Sequence, residues 1–372
     1  MRSSFISVFP MTSIKRGSYP EILHNLLRWR FNVEIIHPQA LGLFAFLNQL
    51  ISKKPIVHIH WIEHKYTFGL PRTRFLSLIM FIGIILYLET LLFLSKILKC
   101  KLVVTLHNLL PHKPLLLPIE RAVFKITLDL SNIIYVHSHY LKKMAVVTYS
   151  IDKRKIIVIP HGKWLVNTKV NLNQKRARES LGIPIEAFVI SFVGRLSEDK
   201  GIHILLEALE LMEPINDLYI IIAGKPASKK ILEYIKTMIN KLSRKFRIKF
   251  YPWHVSDKML VTILKASNIG VIPYVHTYTP STLILFLSYG IPVIIPDFPV
   301  VREFLGEIAS DYDLFCEPNP ISVKNKIVNA MQNREKLQDY KRKFCERASK
   351  EFDWQKCVEL TYKGYLMLYR TN

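Results

Sequence analysis

Short apolar runs alternate with longer amphipathic segments along this chain, and this alternation restricts its fold more than any other feature. Runs rich in Val, Ile, Phe and Tyr predict strands. The predicted strands are Phe5–Phe9, Asn32–His37, Ile56–Trp61, Leu102–Leu106, Ile133–His137, Ile156–Ile159, Ala187–Val193, Leu218–Ala223, Ile248–Tyr251, Ile269–Ile272 and Pro292–Ile295. Apolar residues recur at helical spacing between them, as at Ile202, Leu205 and Leu209. A chain of 372 residues is too long for one core. We therefore predict an α/β fold with two Rossmann-like domains, each built on a parallel sheet.

Composition excludes several classes of protein. Half of the residues are apolar, which excludes a disordered chain. The four cysteines, Cys100, Cys316, Cys345 and Cys357, form no C-x-x-C pair. Their spacing excludes a disulfide scaffold and favours a reducing, cytoplasmic setting. We also predict no signal peptide, since Met1 to Pro10 is short and runs into strand-like sequence.

Positive charge is concentrated in the first half of the chain. The net charge is +23, and residues 1–165 carry 22 Lys and Arg against 7 Asp and Glu. Such a surface attracts either nucleic acid or an anionic membrane, and charge alone does not separate the two. Plain solubility is a third explanation.

One segment of this basic half favours the membrane. Residues Phe75 to Leu94 are almost continuously apolar and have arginines before them and lysines after them. The length could span a bilayer, but a carboxylate within the membrane, here Glu89, is costly. We favour a helix that dips an apolar face into the membrane interface, with a buried core helix and a spanning helix as alternatives.

The segment from Phe192 to Gly201 predicts an anion site. It joins an apolar strand to a helix through Gly194, Arg195 and Lys200. Glycine permits close backbone approach, and a guanidinium and an ammonium suit phosphate oxygens. An ordinary strand-to-helix turn with solvated charges is the alternative.

Further polar and aromatic residues follow the other predicted strands. Parallel sheets bind ligands beyond the carboxyl ends of their strands. The residues at these ends are Trp61, Glu63, His64, His107, Asn108, His161, Gly162, Gly224, Lys225, Trp253, His254, Tyr274 and Asp297. Two such sheet edges facing each other would form a cleft between the domains.

Several of these motifs, in this order, resemble those of the family-4-like glycosyltransferases, also called glycosyltransferases group 1. The motifs are Thr105-Leu-His-Asn108 with Pro111-His112, Ile159-Pro-His-Gly162, Gly194-Arg195 with Lys200-Gly201, and Phe352-Asp-Trp354. The resemblance implies the GT-B fold, in which two Rossmann-like domains face each other across a cleft. It implies an acceptor and membrane-facing domain at residues 1–165, a nucleotide-sugar donor domain at 166–345, and a terminal helix at 346–372 that crosses back to the first domain.

The chain departs from the family at one position pair. Tyr289-Gly-Ile-Pro-Val-Ile294 matches a family strand and fixes the alignment, so that the family's Glu-x7-Glu pair falls on Thr277 and Leu285. A predicted helix start at Ser281 and Thr282 remains, where free N–H groups and hydroxyls can accept a phosphate. Simple capping of the helix is the alternative. By resemblance, Glu303 contacts the donor and replaces the missing ribose ligand.

The resemblance also suggests catalytic roles. His107 is similar to the family histidine that reaches the donor sugar. If the reaction inverts the anomeric centre, it needs a general base, for which Glu63 is the candidate. If the reaction retains the configuration, no base is needed, so the stereochemistry stays open. Trp253 either stacks on the donor base or covers the sheet edge.

We predict neither a metal nor a cofactor besides the donor substrate. His58 and His60 lie on one face of a strand, but no third ligand has suitable spacing. Asp311-Tyr-Asp313 imitates a metal-binding motif of other transferases, and we predict a solvated loop there. No dinucleotide-binding or P-loop glycine motif occurs.

These observations favour one function over two others. We predict a glycosyltransferase that moves a sugar, with a hexose expected, from a nucleoside diphosphate sugar to a glycan or lipid-linked acceptor. Its expected place is the cytoplasm, peripherally on the inner face of the cell membrane, with an anionic membrane surface as partner. A nucleotide-sugar epimerase would also use diphosphate-binding cations but has no use for an interfacial helix. A nucleic-acid-binding protein would explain only the charge, and we expect no nucleic acid partner.

Overall fold

The structure, a computed structural model, describes residues 6–11, 18–36, 48, 51–62, 86, 92–93, 96–110, 116–164 and 172–370. The chain divides into two compact units. Unit 1 comprises Met1–Gly162 together with Asp353–Asn372, and unit 2 comprises Lys163–Phe352.

Unit 1 is built on a six-stranded parallel sheet. Its strands are β1 (Ser7–Met11), β2 (Glu34–Ile35), β3 (Ile56–His60), β4 (Lys101–Thr105), β5 (Ile133–Val136) and β6 (Ile156–Val158). Their order across the sheet is β2-β1-β3-β4-β5-β6. Every residue of β3 and β5 is buried, as expected for strands that are covered on both faces.

Four helices of unit 1 belong to two layers. They are α1 (Tyr19–Phe31), α2 (Leu117–Leu130), α3 (His139–Tyr149) and α12 (Trp354–Arg370). The connection from β1 to β2 runs across the sheet in the opposite direction to those from β4 to β5 and from β5 to β6. Because such crossovers are right-handed, α1 lies on one face of the sheet, and α2 and α3 lie on the other. Helix α12 packs beside α1, with Phe31 stacked on Tyr362 at a ring separation of 4.1 Å.

Unit 2 contains the second six-stranded parallel sheet. Its strands are β7 (Phe188–Val193), β8 (Leu218–Ala223), β9 (Arg247–Tyr251), β10 (Ile269–Val271), β11 (Val293–Pro296) and β12 (Phe315–Cys316), in the order β12-β11-β10-β7-β8-β9. Its helices are α4 (Gln174–Leu181), α5 (Ile202–Glu210), α6 (Lys229–Leu242), α7 (Asp257–Ala266), α8 (Ser281–Tyr289), α9 (Pro299–Leu305), α10 (Pro320–Gln332) and α11 (Arg334–Glu351). The prediction of two Rossmann-like α/β domains is confirmed.

The structure corrects one local prediction. The segment Asp311-Tyr-Asp313 is not simply a solvated loop, because Tyr312 is buried. Its hydroxyl donates to the carbonyl of Val293 at 2.6 Å and accepts from the N–H of the same residue at 2.8 Å. Asp313 forms a 3.0 Å ion pair with Lys336. This segment therefore contacts both strand β11 and helix α11.

Candidate functional site

The loops after β7 and β8 in unit 2 hold each other in place. Gly194 adopts a φ of 119° and Gly224 a φ of 153°, where side chains are strained. A Cβ atom on Gly224 would lie 1.6 Å from the carbonyl oxygen of Gly194. The N–H of Leu196 also donates to the carbonyl of Lys225 at 3.1 Å. The two loops are thus in backbone contact, which fixes the path of the predicted anion loop.

Lys200 belongs to the short 3-10 turn Glu198–Lys200, which precedes α5. Its ammonium lies 4.5 Å from the ring centre of the buried Tyr274, which follows β10. The N–H of Val275 donates to the carbonyl of Asp199 at 3.0 Å. Because β10 is the neighbour of β7 in the sheet, Lys200 stands at the carboxyl ends of these two strands.

Helix α8 begins beside Gly194. A Cβ atom on Gly194 would lie 3.5 Å from Oγ1 of Thr282, in the first turn of α8. No side chain caps the start of this helix. The N–H of Ser281 donates to the carbonyl of Thr279 at 2.8 Å, so the N–H groups of Thr282 and Leu283 are the ones available to a ligand. The indole N–H of Trp164 donates to the carbonyl of Ser281 at 3.1 Å. Gly194, Lys200, Ser281 and Thr282 therefore gather at one end of the unit 2 sheet, where cation and helix N-terminus favour an anion.

The structure gives fewer contacts between this end of the sheet and the other residues predicted to bind the donor substrate. Arg195 follows Gly194 and is exposed. Trp253 follows β9, two strands from β7, and stands edge-on to Tyr251. Glu303 lies within α9 and is half-buried, and its carbonyl oxygen accepts from Arg347 at 3.2 Å. Leu285, at the position of the family's second glutamate, is buried.

Unit 1 gathers histidines at the carboxyl ends of its strands. His107, His137 and His161 follow β4, β5 and β6, and we call them the strand-end histidines. The ring of Tyr19 lies 5.4, 5.1 and 4.8 Å from their respective ring centres. The predicted His107 is therefore one member of a group. Sequence reasoning missed His137, which it placed inside a strand, and Tyr19, which no motif marks.

Trp61 covers the predicted catalytic histidine. Its ring stacks on His107 with centres 4.2 Å apart and planes 14° from parallel. Trp61 has a φ of 53°, which is rare for a bulky residue. Strained backbone of this kind clusters at functional sites.

A second histidine group lies beneath helices α1 and α12. His24, His58 and His60 are all buried, and they offer nitrogen atoms within 4.8 Å of one another. His24 is a third possible metal ligand, which the spacing in the sequence did not reveal. His58 uses both ring nitrogens, at 2.6 Å from the Tyr365 hydroxyl and 2.8 Å from Thr105 Oγ1. A neutral imidazole has one donor and one acceptor, so His58 is fully engaged as a hydrogen-bonding residue.

Burial keeps these imidazoles neutral. It lowers the pKa of His58, His60 and His137 well below the ordinary value, and neighbouring histidines lower the pKa of all three further. Burial also lowers the pKa of His161 to about 4. His137 Nδ1 lies 3.3 Å from the carbonyl of Ile159 and His161 Nδ1 lies 2.9 Å from that of Gly162, so both Nδ1 atoms carry the proton. Their Nε2 atoms are therefore hydrogen-bond acceptors, and that of His137 is buried with no partner among the described residues.

We expect the protein to lose stability in mild acid. Unfolded histidines bind protons below about pH 6.5, but these folded ones stay neutral. The stability is therefore fully present above that pH and is lost as the pH falls toward 4, at roughly 1.4 kcal/mol per pH unit for each histidine. Urea unfolding at a series of pH values measures the slope. His161→Asn should reduce it, and equal urea midpoints at pH 7.5 and 5 would contradict the prediction.

Several predicted features lie outside the described residues. They include Glu63, His64, Pro111-His112 and most of the segment Phe75 to Leu94. Among the helices that the structure does describe, none combines the length and the apolar character needed to span a membrane.

Comparison with known proteins finds a family match within unit 2 and relatives of the chain. Residues 173–347 match the family described as Glycosyl transferases group 1. The chain is similar to a D-inositol 3-phosphate glycosyltransferase of Corynebacterium diphtheriae, with 32% identity over 27% of this chain and 24% of the relative. It is also similar to the UDP-Gal:alpha-D-GlcNAc-diphosphoundecaprenol alpha-1,3-galactosyltransferase of Escherichia coli, with 27% identity over 51% of each chain. The matched regions thus span about a quarter of the first relative and about half of the second.

Solved structures share the fold of the whole chain. The Anabaena protein HepE, solved in complex with UDP and glucose, has a TM-score of 0.68 and 17% identity, covering 97% of this chain and 99% of its own. A glycosyltransferase of Rickettsia africae has a TM-score of 0.69 and 14% identity, covering 99% of both chains. At such identities the likeness establishes the fold alone, which is GT-B.

Proposed function

Since residues 173–347 belong to the glycosyl transferases group 1 family, we propose that this protein transfers a sugar from a nucleoside diphosphate sugar to an acceptor hydroxyl. In this reaction the bond between the anomeric carbon and the diphosphate oxygen breaks. The acceptor oxygen forms the new bond and loses its proton, and the nucleoside diphosphate leaves. The observation that carries the proposal is the meeting of Gly194, Lys200 and the first turn of α8 at one end of the unit 2 sheet.

The donor diphosphate fits this place in unit 2. Its negative charge increases as it leaves, and preorganised donors stabilise such charge most strongly. Lys200 and Arg195 supply positive charge, and the uncapped start of α8 supplies N–H groups beside the Ser281 and Thr282 hydroxyls. These groups offset the charge without a metal or a cofactor. Trp253 and Glu303 remain candidates for contacts with the base and the ribose.

The strand-end histidines of unit 1 fit sugar hydroxyls. All three are buried, and burial keeps His137 and His161 neutral. The ring of Tyr19 stands close to all three, and Trp61 stacks on His107. Within the proposal, His107 positions the transferred sugar. If the reaction inverts the anomeric centre, Glu63 accepts the proton of the acceptor hydroxyl. In a retaining reaction no such base takes part.

A lipid-linked or polysaccharide-precursor acceptor extends the proposal. The Escherichia coli relative is named for a diphosphoundecaprenol acceptor, which is a lipid. The basic first half of this chain suits an anionic membrane surface. We place the protein in the cytoplasm, peripherally on the inner face of the cell membrane. The alternative of an epimerase finds no support among the relatives named above.

A ligand screen followed by a transfer assay tests the function. We expect one nucleoside diphosphate to raise the melting temperature, since a ligand at 100 times its Kd adds about 2.7 kcal/mol of stability. The matching sugar nucleotide should then be consumed in the presence of a lipid-linked diphosphosugar. If no nucleoside diphosphate stabilises the protein and no sugar nucleotide is consumed, the proposal is wrong.

A further inference from the structure

The connections between β4 and β6 place two neighbouring helices on one face of the unit 1 sheet. In the order β2-β1-β3-β4-β5-β6, the chain moves in one direction across the sheet from β4 to β6. Right-handed crossovers therefore put both connections on the same face. They contain α2 and α3. We call this the crossover layer, and it lies opposite α1 and α12.

The crossover layer exposes large apolar side chains to solvent. On α2 these are Leu117, Ile119 and Ile126, and on α3 Val147 is 69% exposed. Outside this layer and before β4, Phe93 and Ile97 are also 58% and 59% exposed. Single exposed apolar residues are ordinary, but this number on neighbouring helices of one layer marks an interaction surface.

Charge identifies the kind of partner. Helix α3 contains lysines but no acidic residue, and on α2 Asp129 is paired with Lys125 while Glu120 is buried. Among the described residues, Arg121 and Lys143 have no ion-pair partner, and both are exposed. Apolar side chains among unpaired cations complement an anionic lipid surface, which offers acyl chains and phosphates together.

An open pocket between α2 and α3 has the size and lining for a lipid headgroup. Its volume is about 370 Å³, and its lining includes Arg121, Lys125, Thr148 and Ser150. The guanidinium of Arg121 and the two hydroxyls suit phosphate oxygens, whereas the ammonium of Lys125 is paired with Asp129. The exposed Ile126 and Val147 belong to the same two helices, so that a bound headgroup would have acyl chains beside apolar residues.

We propose that the crossover layer docks unit 1 on an anionic bilayer, with a lipid phosphate in the pocket between α2 and α3. Ile126 and Val147 enter the interface, and Arg121 and Lys143 contact the headgroups. This placement would bring the protein to lipid-linked acceptors, and in that respect alone it rests on the proposed function.

Vesicle binding tests the proposal without donor or acceptor. The full chain should sediment with vesicles of equal parts phosphatidylglycerol and phosphatidylcholine, and added salt should release it. Ile126→Ser combined with Val147→Ser should weaken binding on the order of tenfold, because apolar burial is lost. Arg121→Ser combined with Lys143→Ser should weaken it to a similar extent.

Matched variants on other surfaces serve as controls. Trp29→Ser on α1 removes an 83% exposed side chain from the opposite face of unit 1, and Ile321→Ser removes a 65% exposed one from unit 2. Both should bind vesicles like the unaltered chain. All variants should keep the stabilisation by nucleoside diphosphate, which shows that they are folded and still bind the donor.

Three outcomes would overturn the proposal. The first is that the unaltered chain binds neither these vesicles nor vesicles of phosphatidylcholine alone, which would leave the crossover layer to a protein partner. The second is equal binding to vesicles of phosphatidylcholine alone. The third is that the crossover-layer variants bind as tightly as the controls. If inorganic phosphate stabilises the chain but vesicles do not bind, the pocket accepts free phosphate only. None of these results affects the transferase proposal, whose test is the consumption of a sugar nucleotide in solution.

Discussion

Replacing Arg195 or Lys200 with alanine should lower turnover on the order of 100-fold, comparable to the loss of one preorganised donor at a developing negative charge. Lys200 is held over the ring of Tyr274 and stands beside the loop that contains Gly194. Its position is therefore set before the donor binds, so that no reorganisation is needed when the diphosphate leaves. Steady-state transfer assays with each variant measure the effect.

The exposed Arg244 provides the matched control, since it precedes β9 at the amino end of the same sheet. Arg244→Ala removes the same side chain without touching the carboxyl ends of the strands, and turnover should stay unchanged. Lys200→Arg keeps the charge but changes the shape of the charged group. Its turnover should lie between that of Arg244→Ala and that of Lys200→Ala. Full transfer activity in both Arg195→Ala and Lys200→Ala would show that the diphosphate binds elsewhere.

Replacing Gly201 with alanine should destabilise unit 2 by roughly 3 kcal/mol, at the upper end of the usual cost of overpacking. Gly201 has a φ of 75°, and a Cβ atom there would lie 1.9 Å from the carbonyl oxygen of Pro273. Backbone must move to relieve this contact, and the atoms that move belong to the loops that carry Lys200 and Tyr274. We expect weaker donor binding as well as a lower urea midpoint.

Substituting Gly182 distinguishes the steric contact of a new Cβ atom from the cost of its left-handed backbone. It has a similar φ of 60°, but nothing lies within 4 Å of its Cβ position. Gly182→Ala should therefore cost only the left-handed backbone penalty, roughly 1 kcal/mol, and leave donor binding intact. Equal destabilisation by the two substitutions would mean that the close approach of Pro273 to Gly201 does not matter.

The architecture could be predicted because strand patterns depend on local sequence. Each predicted strand is present, and Leu218–Ala223 has the predicted bounds. The sequence did not predict β12, which has only Phe315 and Cys316 and forms by pairing with β11. Two residues carry no periodicity, so a strand of this length depends on its neighbour and not on its own sequence.

The candidate site could be predicted only where a motif marks it. Gly194, Lys200 and Thr282 were named from spacing, and the structure brings them to one sheet end. Tyr19 and His24 belong to α1, and their sequence is that of an ordinary amphipathic helix. They reach the histidine groups because α1 packs on the sheet, which is a tertiary contact that no spacing encodes.

The order of synthesis gives helix α12 a late role in folding. Unit 2 is continuous along the chain, but unit 1 is completed by Asp353–Asn372. Tyr365 reaches His58 at 2.6 Å across 307 residues, and Tyr135 donates to the carbonyl of Thr361 at 2.8 Å. A ribosome makes these partners only after the whole of unit 2 has been translated. Until then, His58 and Tyr135 lack the helix that covers them, so the nascent first unit cannot complete its core.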